Sequence, residues 1–309
     1  MWFKNLIFYR FMQPFTLSED ALQEQLNEKT FQLCGPLDQF SYGWSAPLGA
    51  KHEQQLTFTA GNCIMICARR EEKVLPASVI KEFVNDKVVE IEDQQMRKVG
   101  RKEKDDLREE ILHDLLPRAF TRSIYTYAYI DKQNGFLIVD SSSHKRAEDL
   151  TTLLRKCVGS LPIEPPTVTQ SPSSTMTHWL KNDDIPSDLV IEDECELKSP
   201  DESGAVIRCK SQDMGSEEIQ SHLNANKQVT KLSVTWDDRL SFNINEDLTL
   251  KRIRLTDVVQ DQVSDCHAES MEEKFDADFT VMCLELSNLL PRVLDFFGGE
   301  QMGQQAAVA

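Results

Sequence analysis

Two amphipathic runs separated by a single glycine constrain the fold of this chain more than any other feature of its sequence. After Pro76, apolar side chains recur at spacings of three and four residues, the pattern of a helix with one buried face. Gly100 interrupts this pattern, a second run of the same kind follows, and Pro117 ends it. Two helices with so short a connection fold back as an antiparallel hairpin. The sequence therefore predicts a projecting helical finger over residues 76–117.

The predicted tip of this finger carries a dense group of cations. Five of the eight residues from 97 to 104 are lysine or arginine, namely Arg97, Lys98, Arg101, Lys102 and Lys104. Cations at an exposed tip suit contacts with nucleic-acid phosphates that do not depend on base sequence. Many basic loops, however, are simply exposed to solvent and bind no ligand. The cluster alone does not distinguish a phosphate-binding tip from such a solvated loop.

Charge is distributed unevenly between the two halves of the chain. The 309 residues include 34 lysines and arginines against 51 aspartates and glutamates, a formal net charge of −17. As a bulk value this argues against a nucleic-acid ligand, because neutralising phosphates requires cations. Residues 1–160, however, carry 22 cations and 23 acids, whereas residues 161–309 carry 12 and 28. The acidity belongs to the second half, and its densest run, residues 183–202, is interpreted as a solvated face.

Outside the finger, strand and helix patterns are mixed without regular alternation. This mixture favours an α+β fold over a doubly wound α/β sheet. A strand before the finger would place Cys63, Met65 and Cys67 on one face by its period of two. Residues 228–255 predict a three-strand meander, and residues 271–297 predict a long helix that is interrupted or kinked at Pro291.

A stretch rich in proline and serine, with Pro165, Pro166 and residues 171–174, is typical of a linker. We therefore predict three regions with approximate boundaries. They are an N-terminal α+β region over residues 1–160 that includes the finger, an acidic middle region over 161–226, and the meander plus the C-terminal helix over 227–309.

The sequence contains no convincing motif for catalysis. It lacks both glycine-rich phosphate-binding loops and the H-E-x-x-H metal motif, so we predict no enzyme activity, catalytic residue, metal or cofactor. Cys63 and Cys67 would lie about 13 Å apart on a strand, too far for a disulfide. Asp276 and Asp278 leave open a nuclease that holds a hard cation, although acids near a helix N-terminus are the preferred interpretation.

The sequence predicts a cytoplasmic protein that does not contact a membrane. Its apolar stretches are far shorter than the roughly 20 residues that span a bilayer. The N-terminus lacks a basic segment followed by an apolar run. The eight cysteines show no framework spacing, which is typical of free thiols in a reducing compartment.

Further cations support a phosphate-binding surface. Arg118 and Arg122 flank Phe120, and a predicted helix shows four cations on its outer face: Lys145, Arg146, Arg155 and Lys156. Predicted strands add five more: Arg208, Lys210, Lys251, Arg252 and Arg254. The sequence has neither a basic recognition helix of the helix-turn-helix type nor a zinc finger. These features favour binding of duplex DNA without sequence preference over the recognition of bases.

Six blocks of the sequence resemble the RdgC family of recombination-associated proteins. They run from end to end and nearly keep the family's spacing: WFKNL at residues 2–6, ICARREEK at 66–73, LLPRAF at 115–120, VIRCKSQD at 206–213, VTKL at 229–232 and KFDADF at 274–279. Because the blocks are long and not shared with other families, the resemblance is specific.

The resemblance implies a bacterial, non-catalytic protein of the cytoplasm that is associated with the nucleoid. It implies a ring-shaped homodimer that encircles duplex DNA through a positively lined hole. Binding without sequence preference would then limit the access of RecA to DNA. The implied partners are double-stranded DNA, a second copy of the chain and RecA as a functional antagonist, with single-stranded DNA left open as a further ligand.

The resemblance also implies roles for particular residues. Phe120 corresponds to a ring-closing contact between subunits, whereas its position alone would make it a core aromatic at a strand edge. Lys210 and Gln212 correspond to DNA-binding positions, although Lys210 would otherwise be an ordinary exposed strand lysine. We expect cations of the finger and its base to contact DNA as well: Lys98, Arg101, Lys102 and Arg118.

A function of another class stays open at this point. The acidic second half could make the chain a protein-interaction scaffold that contacts recombination proteins directly and touches DNA only incidentally. Mixing the chain with RecA in the absence of DNA separates these hypotheses, because the ring predicts no strong complex.

Overall fold

The computed structural model describes residues 2–201, 204–264 and 270–301. Twelve strands form one sheet in which every pairing is antiparallel. The strands are β1 (Asn5–Phe11), β2 (Phe40–Ser45), β3 (Thr57–Ala60), β4 (Cys63–Lys73), β5 (Thr121–Asp131), β6 (Phe136–Asp140), β7 (Ile163–Glu164), β8 (Leu189–Lys198), β9 (Val206–Cys209), β10 (Gln228–Trp236), β11 (Leu240–Asn245) and β12 (Leu250–Leu255).

Eight α-helices in the described part of the chain accompany the sheet. They are α1 (Glu19–Asn27), α2 (Ala77–Gln95), α3 (Arg101–Leu115), α4 (His144–Val158), α5 (Pro172–Asn182), α6 (Glu217–Asn224), α7 (Asp257–Ser264) and α8 (Met271–Phe296). Helices and antiparallel strands therefore occur in one α+β fold, as the sequence predicts.

The strand order is β2-β4-β5-β6-β1-β12-β11-β10-β8-β9, with β3 on β4 and β7 on β1. The meander predicted for residues 228–255 is confirmed as β10, β11 and β12. β1 joins the two halves, since it pairs with β6 on one side and with β12 on the other. The sheet thus continues across the three predicted regions, whose boundaries stay a prediction.

Both faces of the central sheet are covered. Along β4, Cys63 and Met65 face a hydrophobic cluster that includes α5, α6 and α8. Ile64 and Ile66 face the opposite cluster, which includes α1 and α4. Alternate side chains of one strand point to opposite faces, so helices on both sides can bury nearly every residue of this strand.

The predicted helical finger is confirmed as α2 and α3. Gly100 is the N-cap of α3, and the 3₁₀ turn Leu116–Arg118 follows the helix. α2 and α3 pack on each other, and the buried apolar residues of this segment belong to neither of the two large clusters: Ile80, Val88, Val99, Ile111 and Leu116. The finger therefore has a small core of its own.

Two local expectations need correction. The supposed linker is structured, because Ile163 pairs with Phe11 in the β1–β7 ladder and Ser171 caps α5. The C-terminal helix is not interrupted at Pro291, since α8 runs continuously from Met271 to Phe296. Proline removes the donor that the carbonyl of Ser287 would otherwise receive, and the Asn134 side-chain amide donates to that carbonyl instead at 3.2 Å.

Candidate nucleic-acid interface

The finger tip presents four cations without a carboxylate partner in the described part of the chain, because Lys104 stays unpaired beside the three predicted DNA-binding cations. Lys98, Arg101 and Lys102 are exposed, and none of them forms an ion pair with a described residue. Arg97 differs, because its guanidinium binds both carboxylate oxygens of Glu103 at 2.7 and 2.6 Å. This hydrogen-bonded cation lowers the pKa of the Glu103 carboxyl. The tip thus neutralises one predicted cation and leaves the three predicted DNA-binding cations available.

The backbone adds to the positive potential of the tip. The N-cap of α3 is Gly100, which has no side chain to cap the first N–H groups of the helix, although the Glu103 carboxylate accepts a hydrogen bond from the Gly100 N–H. These groups carry the positive end of the helix dipole, and Arg101 and Lys102 stand in the same turn. Cations at this end destabilise the helix in isolation, whereas a bound anion would relieve that repulsion.

The finger base places an aromatic side chain in solvent. Phe120 lies between the 3₁₀ turn and β5, and 87% of its surface is exposed. The interpretation of Phe120 as a core aromatic is therefore wrong. Its carbonyl accepts a hydrogen bond from the Val74 N–H at 2.7 Å, which continues the β4–β5 ladder and fixes the backbone beneath the ring. Arg118 is also exposed and has no carboxylate partner in the described chain.

The end of β9 carries the other predicted DNA-binding residues. Lys210 follows the last residue of this strand, is exposed, and forms no ion pair with a described residue. Ser211 adopts a left-handed backbone with φ of 52°, after which the Gln212 N–H donates to the Asp193 carbonyl at 3.2 Å. Arg208, only two residues before Lys210, instead binds Glu196 at 2.8 Å.

One chain does not bring these residues into a single patch. α3 has 15 residues, so the tip and base of the finger are separated by about 22 Å along the helix. Seven strand steps separate β5 from β9 in the sheet, a distance of roughly 34 Å along its surface. The finger tip, the finger base with Phe120, and the β9 end with Lys210 are therefore three separate places.

In the second half of the chain, several cations form ion pairs with carboxylates of the acidic run. Lys231 and Arg252 both contact Glu194, at 3.5 and 2.9 Å, and Arg292 binds Asp188 at 2.7 Å. The acidic run is therefore more than a solvated face, because several of its carboxylates hold cations of other strands and of α8. The sequence signal for these ion pairs is the alternation of acids with a period of two in residues 192–196, because residues at this spacing share one face of a strand.

Four more cations follow one exposed face of α4, as predicted: Lys145, Arg146, Arg155 and Lys156. The opposite face of this helix is buried and includes Ala147 and Leu150. The helix begins at Ser143, whose hydroxyl accepts a hydrogen bond from the Arg146 N–H. α4 thus offers a second basic surface outside the finger.

The proposed nuclease carboxylates do not converge. Asp276 is exposed on α8, whereas Asp278 is buried with 8% of its surface accessible. Residues two apart on a helix point to different sides, so these carboxylates cannot share one cation as the motif suggested. Among the residues that the structure describes, no group of three or more histidine, cysteine or acidic side chains is arranged to hold a metal.

Seven cysteines in the described residues are free thiols. Across the same residues, no helix combines the length and the apolar character that crossing a bilayer requires.

The fold and its surface define an α+β protein built on one long antiparallel sheet, with a helical hairpin whose tip exposes unpaired cations. The chain belongs to the RdgC family: the family model described as "Putative exonuclease, RdgC" matches residues 1–300. This assignment confirms the resemblance seen in the six sequence blocks.

Full-length relatives support the same assignment. The recombination-associated protein RdgC of Psychromonas ingrahamii is 47% identical over 301 residues, which covers 97% of this chain and 99% of the relative. The protein of that name from Tolumonas auensis is 44% identical with the same coverage. The one from Pseudomonas aeruginosa is 43% identical over 98% of this chain and 99% of its own length. The description of the family model names an exonuclease, whereas the names of these relatives refer to recombination.

Proposed function

We propose that the chain is a non-catalytic DNA-binding protein of the nucleoid in the cytoplasm. It binds duplex DNA without sequence preference, as a ring-shaped homodimer that encircles the duplex, and it limits the access of RecA to DNA. Lys98, Arg101, Lys102, Arg118 and Lys210 contact phosphates, Gln212 assists at the β9 end, and Phe120 closes the dimer.

One observation carries the DNA-binding part of this proposal. Four cations of the finger tip, including Lys98, Arg101 and Lys102, are exposed near a helix N-terminus whose N-cap has no side chain, and none of the four forms an ion pair with a described carboxylate. Cations on a flexible stem and backbone N–H groups bind phosphate oxygens but do not distinguish bases. This arrangement supports phosphate contact without sequence preference.

A dimer explains how the separate places could act together. A two-fold axis presents the same patch on both subunits, so Phe120 of one copy and its equivalent would meet at a shared contact. A ring exposed over 87% of its surface loses most of that area from water in such a contact. The dimer then places two finger tips and two β9 ends around one duplex.

The Phe120→Ser substitution tests ring closure. We expect sedimentation velocity to show a weaker or more open dimer, while the free energy of unfolding changes by less than about 0.5 kcal/mol because the side chain is exposed. Leu284→Ser is the matched control, since Leu284 on α8 is also an exposed apolar residue. If Phe120→Ser unfolds the chain, or leaves its association unchanged, the interface role is wrong.

Two simple mixtures test the other hypotheses. Duplex DNA incubated with the chain and Mg²⁺ should stay intact, and its degradation would favour the exonuclease of the family description. RecA mixed with the chain in the absence of DNA should form no strong complex. A stable complex would favour the protein-interaction scaffold.

A further inference from the structure

The first part of β8 is an open strand edge. This strand pairs with β10 at residues 189–191, where Leu189 lies opposite Trp236 and Ile191 lies opposite Val234, and again from Cys195 after an irregularity in the ladder. On its other side it pairs with β9 only from Cys195 to Lys198. No described strand therefore covers the outer side of residues 189–191, whereas the Asp193 carbonyl already accepts the Gln212 N–H.

The backbone groups of this edge point outward. The Asp188 carbonyl accepts a hydrogen bond from the Asp237 N–H at 2.9 Å, so Asp188 faces β10. In an antiparallel ladder the main-chain groups of alternate residues face opposite sides, and those of Leu189 and Ile191 therefore face away from β10. The Leu189 N–H donates to the Pro186 carbonyl at 2.9 Å. The Leu189 carbonyl and both main-chain groups of Ile191 have no bonded partner among the described residues.

A deep groove runs beside this edge. It has a volume of about 800 Å³ and lies between β8, α5 and the segment after β9. Its accessible apolar lining comes from Ile185, Val190 and Ile191. Its charged lining is acidic, with one cation, Lys181, against four carboxylates: Asp183, Glu192, Asp193 and Asp213. We call this cavity the β8 groove.

We propose that the β8 groove binds an extended, basic segment of a partner protein. The segment adds a strand beside residues 189–191, pairing with the N–H and carbonyl of Ile191, and its lysine or arginine side chains face the acidic lining of the groove. Strand addition to an open edge takes affinity from main-chain hydrogen bonds and specificity from the side-chain surroundings. A lining that is both apolar and acidic selects alternating apolar and basic residues.

The charges of the groove disfavour two other occupants. Duplex DNA would bring its phosphates against four carboxylates. A second copy of the chain would place the same acids of both copies around one contact, because a two-fold interface pairs identical patches. A basic segment of a partner protein is repelled neither by phosphates nor by a second set of carboxylates. The groove shares Gln212 with the proposed DNA-binding residues at the β9 end, whereas Lys210 and the finger cations lie outside it.

The test uses a fluorescent, end-capped heptapeptide of alternating lysine and valine with the full chain. We expect saturable binding by fluorescence anisotropy that weakens with salt, and protection of the Ile191 amide against hydrogen exchange when the peptide binds. A peptide with glutamate in place of lysine, and a lysine peptide N-methylated at alternate residues, should each bind at least fivefold more weakly.

Charge-reversal variants locate the binding. Asp193→Lys should weaken the lysine peptide about fivefold, because Asp193 lines the groove and its side chain is exposed. Glu24→Lys on α1 changes the net charge equally and should have little effect. Excess duplex DNA should not displace the peptide.

Several results would overturn the proposal. Equal loss in Asp193→Lys and Glu24→Lys means unspecific attraction to an acidic protein. Binding without protection of Ile191, or undiminished binding of the N-methylated peptide, excludes strand addition. Displacement by duplex DNA makes the groove a DNA surface. Protection of Ile191 that rises with protein concentration, without peptide, makes a second copy the occupant.

Discussion

The finger tip and the strands β8–β12 both carry many cations, but three cations of the strands are held by carboxylates, which the predicted DNA-binding cations of the tip lack. At the finger tip, Lys98, Arg101 and Lys102 are exposed and have no described carboxylate partner. In the second region, Arg208, Lys231 and Arg252 contact Glu196 or Glu194. The difference teaches that the number of cations in a region does not decide where an anion can bind. The cations that stay unpaired in the folded chain decide it.

The comparison also explains why the net charge of −17 does not argue against a nucleic-acid ligand. Most excess acid lies after residue 160, where part of it holds the sheet together through ion pairs with cations of the same region. The finger tip keeps exposed cations without carboxylate partners, which whole-chain charge does not report. A screening length of about 10 Å at 0.1 M salt separates the tip from acids on distant strands, although exposed acids of the finger itself, Asp93, Asp105 and Asp106, lie within about two helix turns.

The largest expected effect concerns a paired cation. Arg239 binds Glu285, a carboxylate with 2% of its surface exposed on α8. Arg239→Ala should lower the free energy of unfolding by about 3 kcal/mol, since it leaves a buried charge without this partner. Urea denaturation followed by circular dichroism measures the loss.

A double variant makes this prediction falsifiable. Arg239→Met combined with Glu285→Leu should recover most of the stability, because it removes both charges and keeps the volume. If the single and double variants are equally unstable, the buried pair is not the cause of the loss.

The next effect concerns the unpaired cations of the finger tip. Replacing Lys98, Arg101 and Lys102 together with alanine should weaken duplex binding on the order of a hundredfold at about 0.1 M salt. The slope of log affinity against log salt should become less negative by about 0.9 for each phosphate that the variant no longer neutralises. The free energy of unfolding should hardly change.

Lys87→Ala is the matched control for the tip. Lys87 lies on the finger stem and binds Glu90 at 3.0 Å, so it is a paired cation of the same finger. If this control and the alanine variant of the tip lose DNA affinity equally, then unpaired cations do not bind DNA better than paired ones.

A smaller effect compares two cations at the end of β9. Lys210→Ala should weaken duplex binding about fivefold, whereas Arg208→Ala should weaken it less than twofold because Arg208 is held by Glu196. Fluorescence anisotropy at low salt measures both. A greater loss in Arg208→Ala would place the phosphate contact on the strand rather than after it.

The smallest effect is a pH dependence of the paired region. Hydrogen bonds from Arg292 lower the pKa of the Asp188 carboxyl to about 2. In the unfolded chain the pKa of an aspartate is near 4, so the ionised Asp188 stabilises the folded state at any pH above that value. This contribution is lost as the pH falls from about 4 through about 2. Asp188→Asn should therefore remove about 1 kcal/mol at neutral pH and flatten the acid limb of the stability profile. An unchanged acid limb would contradict this role of the pair.

Local periodicity predicted much of the secondary structure. The apolar spacing after Pro76, together with Gly100, predicted the finger, and alternation in residues 228–255 predicted the meander. These features depend on neighbouring residues. The joining of β1 to β12, in which Asn5 pairs with Lys251, depends on residues far apart in sequence, and no local pattern indicates it.

Burial and ion pairing were less predictable than secondary structure. Position alone suggested a buried Phe120, but β5 begins only after this residue, at Thr121, and the ring is exposed. Arg97 belonged to the same predicted cluster as Lys98, yet the turn of the finger brings Glu103 onto Arg97 only. Which cation finds a carboxylate depends on the folded geometry of the tip.

The central claim is that unpaired cations hold duplex DNA through its phosphates. The most direct measurement is the affinity for two labelled duplexes of unrelated sequence across a series of salt concentrations. We predict a steep linear fall of log affinity with log salt, with the same slope and nearly the same affinity for both duplexes. Affinity that is insensitive to salt, or that differs more than about tenfold between the sequences, would contradict it.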